Sequence, residues 1–386
     1  MKKIILIILS LAIVLTPAFA EDKKEAKKAA KKQKPRIEVC FVLDTTGSMG
    51  GLIAGAKEKI WSMANEIISA KPTPEIRIGL IGYRDKTDAY ITKAYPLSND
   101  IDDIYGKLMA FKAQGGGDTP ESVNQALNEG VTKMKWSKSR DVLKVIFLVG
   151  DAPPHMDYKQ DVKYTDSCKL AMKKDIIVNT IQCGNMASTT PIWQEIAHKA
   201  EGKFARILQS GGVIAIATPF DKEIAACNAK LGHTVCVYGD TSAQRFAASK
   251  VTLAQSAPAA AAADRLAYLS KDKESSLNFG AVISGGGDLI DLLANKKIKL
   301  ADIEEKKLPE NIRKMKAEER EAYFAKQIED RKKLQTKLTG LLKKRSTFII
   351  TKKAELKKAG KGDGFDEKVG GFIREQAAKK GFRYEK

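Results

Sequence analysis

The feature that most constrains this chain is a regular alternation from Arg36 to Leu208. Short apolar runs of strand length are each followed by a segment with helical periodicity or by a sharp turn. The runs cover 37–43, 76–83, 90–97, 142–149, 176–183 and 203–208. Between them, 52–70, 102–111, Pro120 to about 134, 165–174 and 192–200 read as helices. The first of these places Ile53, Ile60, Met63, Ala64 and Ile67 on one face. Runs such as 142–149 are strongly apolar, interrupted only by Lys144, as suits a strand whose sheet is covered on both faces. Strands alternating with helices predict an α/β fold with a doubly wound, Rossmann-like and mainly parallel sheet. The run at 90–97 follows the second strand after a short turn and is expected to pair antiparallel.

Two loops and one strand end carry the chemistry. The first run ends at Asp44, and Asp44, Thr46 and Ser48 follow one another at alternate positions. In an extended turn this spacing presents a carboxylate and two hydroxyls to the same point. The segment Gly115-Gly116-Gly117-Asp118-Thr119-Pro120-Glu121 brings another hydroxyl, Thr119, ahead of a helix, and the run at 142–149 leads to Asp151. In a doubly wound sheet, ligands bind in the crevice outside the carboxyl ends of the strands. Asp44 and Asp151 are expected at that edge, with Thr119 over it. Oxygen-only sets of this kind suit hard cations such as Mg²⁺. Helix capping accounts for Ser48 or Thr119, but not for two strand-end carboxylates, whose mutual repulsion a cation relieves.

On these residues, the chain from Arg36 to Ser210 resembles the von Willebrand factor A (VWA) domain, and the oxygen cluster resembles its metal-ion-dependent adhesion site (MIDAS). The family's D-x-S-x-S element falls on Asp44, Thr46 and Ser48, its loop threonine on Thr119 and its later aspartate on Asp151. Thr46 is a departure, since the family most often has serine there, but the hydroxyl is kept. The resemblance implies Mg²⁺ (or Mn²⁺) held partly through water, with an open position that an acidic side chain of a protein partner completes. It also implies a last domain helix that shifts on binding. The function expected is metal-dependent protein binding or adhesion, without catalysis.

Two other functions compete. A hydrolase could use the same crevice. Thr46-Gly47-Ser48-Met49-Gly50 lacks the first glycine of a G-x-S-x-G elbow, but Ser48, His155 and Asp151 form a conceivable triad, since triads are defined by geometry and not by order. The second is binding to an anionic surface or envelope polymer, suggested by the formal charge of +20 from 67 Lys+Arg against 47 Asp+Glu. Nucleic-acid binding is not expected, because aromatics are 7% of the chain and no stacking platform is visible. His155 reads as a rim or plain loop residue, His198 and His233 as structural, and Asp85 and Asp88 as surface turn residues.

The flanks suggest export. Lys2 and Lys3, the apolar stretch from Ile4 to Pro17 and the small-x-small site Ala18-Phe19-Ala20 read as a cleaved signal peptide over residues 1–20. The competing reading is an uncleaved anchor. A periplasmic or extracellular location follows. Residues 21–35 form a basic leader, 36–212 the VWA-like domain, 213–308 a mixed extension with a helix at 219–230 and a strand at 231–238, and 309–386 a charged helical region. Apolar residues from Phe324 to Leu356 recur there at helical spacing and could line a hairpin, a coiled coil or a packed neighbour. This region is expected to act as a docking arm or a buttress. Of the five cysteines, Cys40 and Cys183 lie in strand-like runs and are expected to be buried. Cys227 and Cys236 are close enough in sequence to close a small loop.

Overall fold

The computed structural model describes residues 35–271, 280, 287–360 and 364–384. The expected signal peptide, and the leader up to residue 34, lie outside the described residues. From Pro35 onward the chain forms one unit. No helix among the described residues is long and apolar enough to cross a membrane.

Six strands form one sheet: β1 (Arg36–Asp44), β2 (Glu75–Tyr83), β3 (Thr92–Ser98), β4 (Leu143–Gly150), β5 (Ile176–Cys183) and β6 (Phe204–Ile207). Their spatial order is β3-β2-β1-β4-β5-β6. All neighbours run parallel except β2 and β3. The chain winds outward from β1 on one side and from β4 on the other, so the strand order reverses between β1 and β4. That reversal opens a crevice at the carboxyl edge, where Asp44 ends β1 and Asp151 follows β4.

The connecting helices are α1 (Gly50–Ile68), α2 (Ile101–Met109), α3 (Val123–Thr132), α4 (Tyr164–Lys173) and α5 (Thr189–Lys199). Successive strand side chains point to opposite faces, and the sequence uses both. Val39, Phe41, Leu43, Val145, Phe147 and Val149 pack with α1 and α2. Cys40, Val42, Ile146 and Leu148 pack with α3, α4 and α5.

Among the described residues, seven further α-helices follow β6: α6 (Asp221–His233), α7 (Thr241–Ser256), α8 (Ala259–Lys271), α9 (Leu289–Ala294), α10 (Glu310–Arg313), α11 (Ala317–Lys358) and α12 (Phe365–Ala378). The last of these belongs to the sheet. Phe365, Val369, Ile373 and Ala377 recur every four residues and are fully buried in the same core as Phe41 and Phe147. Burying Phe365, Val369 and Ile373 contributes on the order of 5–8 kcal/mol. Gln376 exchanges amide hydrogen bonds of 3.1 and 2.7 Å with Asn179 of β5. Beyond the helix, Lys71 and Arg383 exchange backbone hydrogen bonds of 2.7 and 2.8 Å. The domain drawn at 36–212 therefore lacks one of its own walls, which returns only at residue 365.

Residues between β6 and α12 form a helical insertion with two cores. One joins α6, α8 and the middle of α11 through Ile224, Leu231, Leu266, Leu338 and Leu341. The other joins α9, α10 and the start of α11 through Leu289, Ile290, Ile312 and Phe324. Buried arginines bind the elements together. Arg265 of α8 grips Asp102 of α2 with bonds of 2.6 and 2.7 Å, Arg345 bonds Asp221 and Asp264, and Arg331 bonds Asp288 and Asp291. Ion pairs this deep add little net stability, but losing one partner leaves the other charge buried and alone.

Two expectations change here. Residues 231–238 are not a strand, because α6 runs to His233 and only an isolated bridge links Val237 to Asp288. Cys227 and Cys236 sit in different cores as free buried thiols, like the other three cysteines. Of the arrangements the spacing allowed for Phe324 to Leu356, the structure shows one 42-residue helix, α11, packed on its neighbours.

Candidate metal centre

The site is built where β1 and β4 end. Asp44 is fully buried, and its Oδ1 accepts hydrogen bonds from the Thr46 amide (2.8 Å) and the Thr46 hydroxyl (2.6 Å). The Thr46 hydroxyl stands 3.4 Å from that of Ser48. The alternate spacing thus brings one carboxylate and two hydroxyls together. Thr45, between them, points away and is anchored to the Tyr83 carbonyl and the Tyr90 hydroxyl. Across the crevice, Asp151 is buried, and its Oδ2 accepts a 2.7 Å bond from Gln209, which also reaches the Ser48 carbonyl.

Glycines permit this approach. A Cβ on Gly150 would stand 2.4 Å from the Tyr83 hydroxyl and 3.0 Å from the Asp44 Cβ. Gly115, at φ +83°, adopts a conformation that L side chains rarely take, and a Cβ there would overlap the Asp88 carboxylate. Asp88 instead accepts the Gly116 amide at 3.0 Å. The glycine loop is tied to the first loop by Gly47 N–H to Gly115 O (3.1 Å) and Gln114 N–H to Thr45 O (3.1 Å). Buried Arg84 donates to the carbonyls of Thr45 and Lys112, holding both loops from below.

Thr119 is exposed at the tip of the glycine loop. The residue of that loop which turns inward is Glu121, only 4% exposed. Its amide donates to the Pro153 carbonyl and its carbonyl accepts from His155, which seats it beside the end of β4. Burial first, and then the charges of Asp44, Asp85, Asp88 and Asp151, push the Glu121 carboxyl up to about 9. Asp44 is pushed up to about 7, chiefly by burial and against the Thr46 bonds that favour its charged form, with Asp151 adding to the rise. Asp44 Oδ2 and Glu121 Oε2 are buried without a hydrogen-bond partner. Asp44, Asp151 and the hydroxyls of Thr46 and Ser48 are oxygen donors of the kind a hard divalent cation takes, and Glu121 adds a further buried carboxylate nearby. In the sequence, Glu121 resembles an ordinary acidic residue placed to favour the start of α3, and nothing local marks it as a ligand.

The other expectations divide. His155 is not a plain loop residue: it is 5% exposed, and its ring stacks on Tyr158 at 4.0 Å. Its nitrogens face Asp157 on one side and Asp85 and Asp118 on the other, and neither is directed at Ser48. Asp85 is likewise no surface residue, at 3% exposure. A groove of about 680 Å³ between α1, the end of α11 and α12 shares no lining residue with the carboxylates.

With the geometry in hand, comparison with known proteins agrees with the fold. The sequence model of the von Willebrand factor A domain matches residues 38–218. An ariadne-like RING finger protein of Acanthamoeba polyphaga mimivirus is 27% identical over 164 residues, which is 42% of this chain and 16% of that protein. This chain thus spans about one sixth of that relative. Among solved structures, proximal thread matrix protein 1 from the mussel byssus, in a form with a zinc-occupied MIDAS motif, is 15% identical over 46% of this chain and 42% of its own, with a TM-score of 0.36. The SpRpn10 VWA domain is 13% identical over 46% of this chain and 89% of its own, with a TM-score of 0.35. The matched span and the doubly wound sheet give this chain a von Willebrand factor A domain over residues 38–218.

Proposed function

We propose that this chain is an exported, non-enzymatic protein that captures an acidic group of a protein partner at a divalent metal site formed by Asp44, Thr46, Ser48, Glu121 and Asp151. The observation that carries the reading is the pair of buried oxygens without a hydrogen-bond partner, Asp44 Oδ2 and Glu121 Oε2, on carboxyls that raise each other's proton affinity. Such oxygens cost free energy unless something positive meets them. Mg²⁺ or Mn²⁺ fits the all-oxygen set and would supply a fixed positive charge for a partner's acidic group to meet. The protein's own part is to hold its donors in place. Thr46 orients Asp44, Gln209 orients Asp151, and the paired backbones of Glu121 and Pro153 keep the third carboxylate inside. Thr119, exposed above the crevice, is placed to meet an incoming partner.

The test is calorimetric and thermal titration of the chain from residue 21 with Mg²⁺ and Mn²⁺, beside Asp151→Ala and Glu121→Gln. At a hundredfold excess over Kd, a ligand of the folded state adds about 2.7 kcal/mol. Stabilisation in the wild type that is lost in both variants is the expected result. A folded wild type indifferent to both ions would remove the metal from the mechanism. Peptides with a central Glu or Gln then test the partner: the Glu form should bind, and EDTA should abolish it.

A further inference from the structure

We infer a second metal site of different chemistry beside the first, formed by Asp85, Asp118 and His155 and suited to a zinc-type ion. One ligand atom from each of these residues lies within 4.8 Å of the others. His155 Nε2 stands 3.6 Å from Asp85 Oδ1 and 3.6 Å from Asp118 Oδ2. Donors held about 2.0–2.1 Å from a tetrahedral ion stand about 3.3–3.4 Å apart, so a small inward movement closes the set and leaves a fourth position to water.

The imidazole is set up as a ligand. Its Nδ1 lies 2.8 Å from Asp157 Oδ1, and an Nδ1–H given to that carboxylate leaves Nε2 with its lone pair. Carboxylate–histidine–metal triads are built in this way. That Nε2 is buried, has no hydrogen-bond partner and faces two carboxylates. A lone pair aimed at two anions is unfavourable, and either a metal ion between them or a proton on Nε2 removes the repulsion. The other donors are held as well. Asp85 accepts from the hydroxyls of Ser122 (2.9 Å) and Tyr158 (2.7 Å), one on each oxygen. Each oxygen keeps a second lone pair. Tyr158 also stacks on the histidine ring, and Asn124 fixes the His155 carbonyl.

The two sites differ in softness. The first offers only oxygen and favours Mg²⁺ or Mn²⁺, whereas an imidazole with two carboxylates favours zinc. One short segment serves both: Glu121 faces Asp44, Asp118 faces His155, and Ser122 holds Asp85. The second site is open to solvent through Asp118, whose side chain is 61% exposed.

Equilibrium dialysis of the full chain against Zn²⁺ in excess Mg²⁺, followed by metal analysis, tests this. The wild type and Asp44→Ala should retain one zinc per chain, and His155→Ala and Asp118→Ala should retain none. Asp118→Ala removes an exposed side chain and keeps the test valid if His155→Ala unfolds. Zinc retained in both of these variants but lost in Asp44→Ala would assign it to the first site and overturn the inference, as would a folded wild type that binds none. Whether Mg²⁺ stabilises the chain is read separately, so the two sites stand or fall independently.

Discussion

In the absence of metal, Asp44→Asn should stabilise this protein at neutral pH while abolishing its response to Mg²⁺. Asp44 has an ordinary carboxyl value of 3.8 and is pushed to about 7 in the fold. The sign follows from proton counts. Between these values the folded state holds a proton that the unfolded chain has released, so stability falls as pH rises from about 4 to about 7 and is level above. At about 1.4 kcal/mol per tenfold change in proton affinity, the penalty at pH 8 is at most about 4 kcal/mol. Asparagine removes that charge but still accepts the two Thr46 bonds, so a net gain of about 2–4 kcal/mol over the wild type is expected at pH 8 in EDTA. At pH 4 the two proteins should differ little. Urea unfolding in EDTA from pH 4 to 8, read as the difference between variant and wild type, cancels every titrating group that does not interact with Asp44, leaving Asp44 with its coupled neighbours Glu121 and Asp151. Saturating Mg²⁺ should reverse the order at pH 8, because only the wild type gains from it. A variant that is less stable than the wild type at every pH in EDTA would refute the reasoning, since the Asp44 charge would then be favourable in the fold without an ion.

Three other outcomes follow from the same structure. A chain ending at residue 212 should fail to give a soluble folded domain, because it leaves Phe41 and Phe147 without the helix that covers them; Phe365→Ala in the full chain should cost about 3–5 kcal/mol in chemical unfolding. Gln209→Ala, which frees Asp151 Oδ2, should weaken Mg²⁺ binding by about 10- to 100-fold in calorimetry with little change in metal-free stability.

The strands and the first loop were legible because their signals are local. Burial of both faces of β1 and β4 shows as apolar runs, and Asp44, Thr46 and Ser48 meet through a spacing of two residues. The remainder depends on contacts between distant segments. Glu121 becomes a candidate ligand only when its backbone pairs with Pro153, 32 residues on. Asp85, Asp118 and His155 come from three separate connections of the sheet, and no spacing announces their meeting. The four-residue stripe of α12 was present in the sequence, but it follows the charged helix α11 and reads as one more exposed segment. Only the uncovered face of β1 and β4 shows what it is for. The apparent strand at 231–238 is apolar because Leu231 and Cys236 fill helical cores, a demand that favours the same residue types as a sheet.

The late return of α12 also has a kinetic consequence. The wall that closes one side of the sheet is made last, after roughly 150 residues of insertion. Closing a loop of that length instead of one of about ten residues adds about 2.4 kcal/mol of chain entropy, and contacts so far apart in sequence form slowly. As the chain emerges from the ribosome, the aromatic face around Phe41 and Phe147 stays open until residue 378 has been made. Domains generally fold as units during synthesis, and this one cannot finish while its insertion is still being translated. The helices of the insertion are made before α12 and have cores of their own.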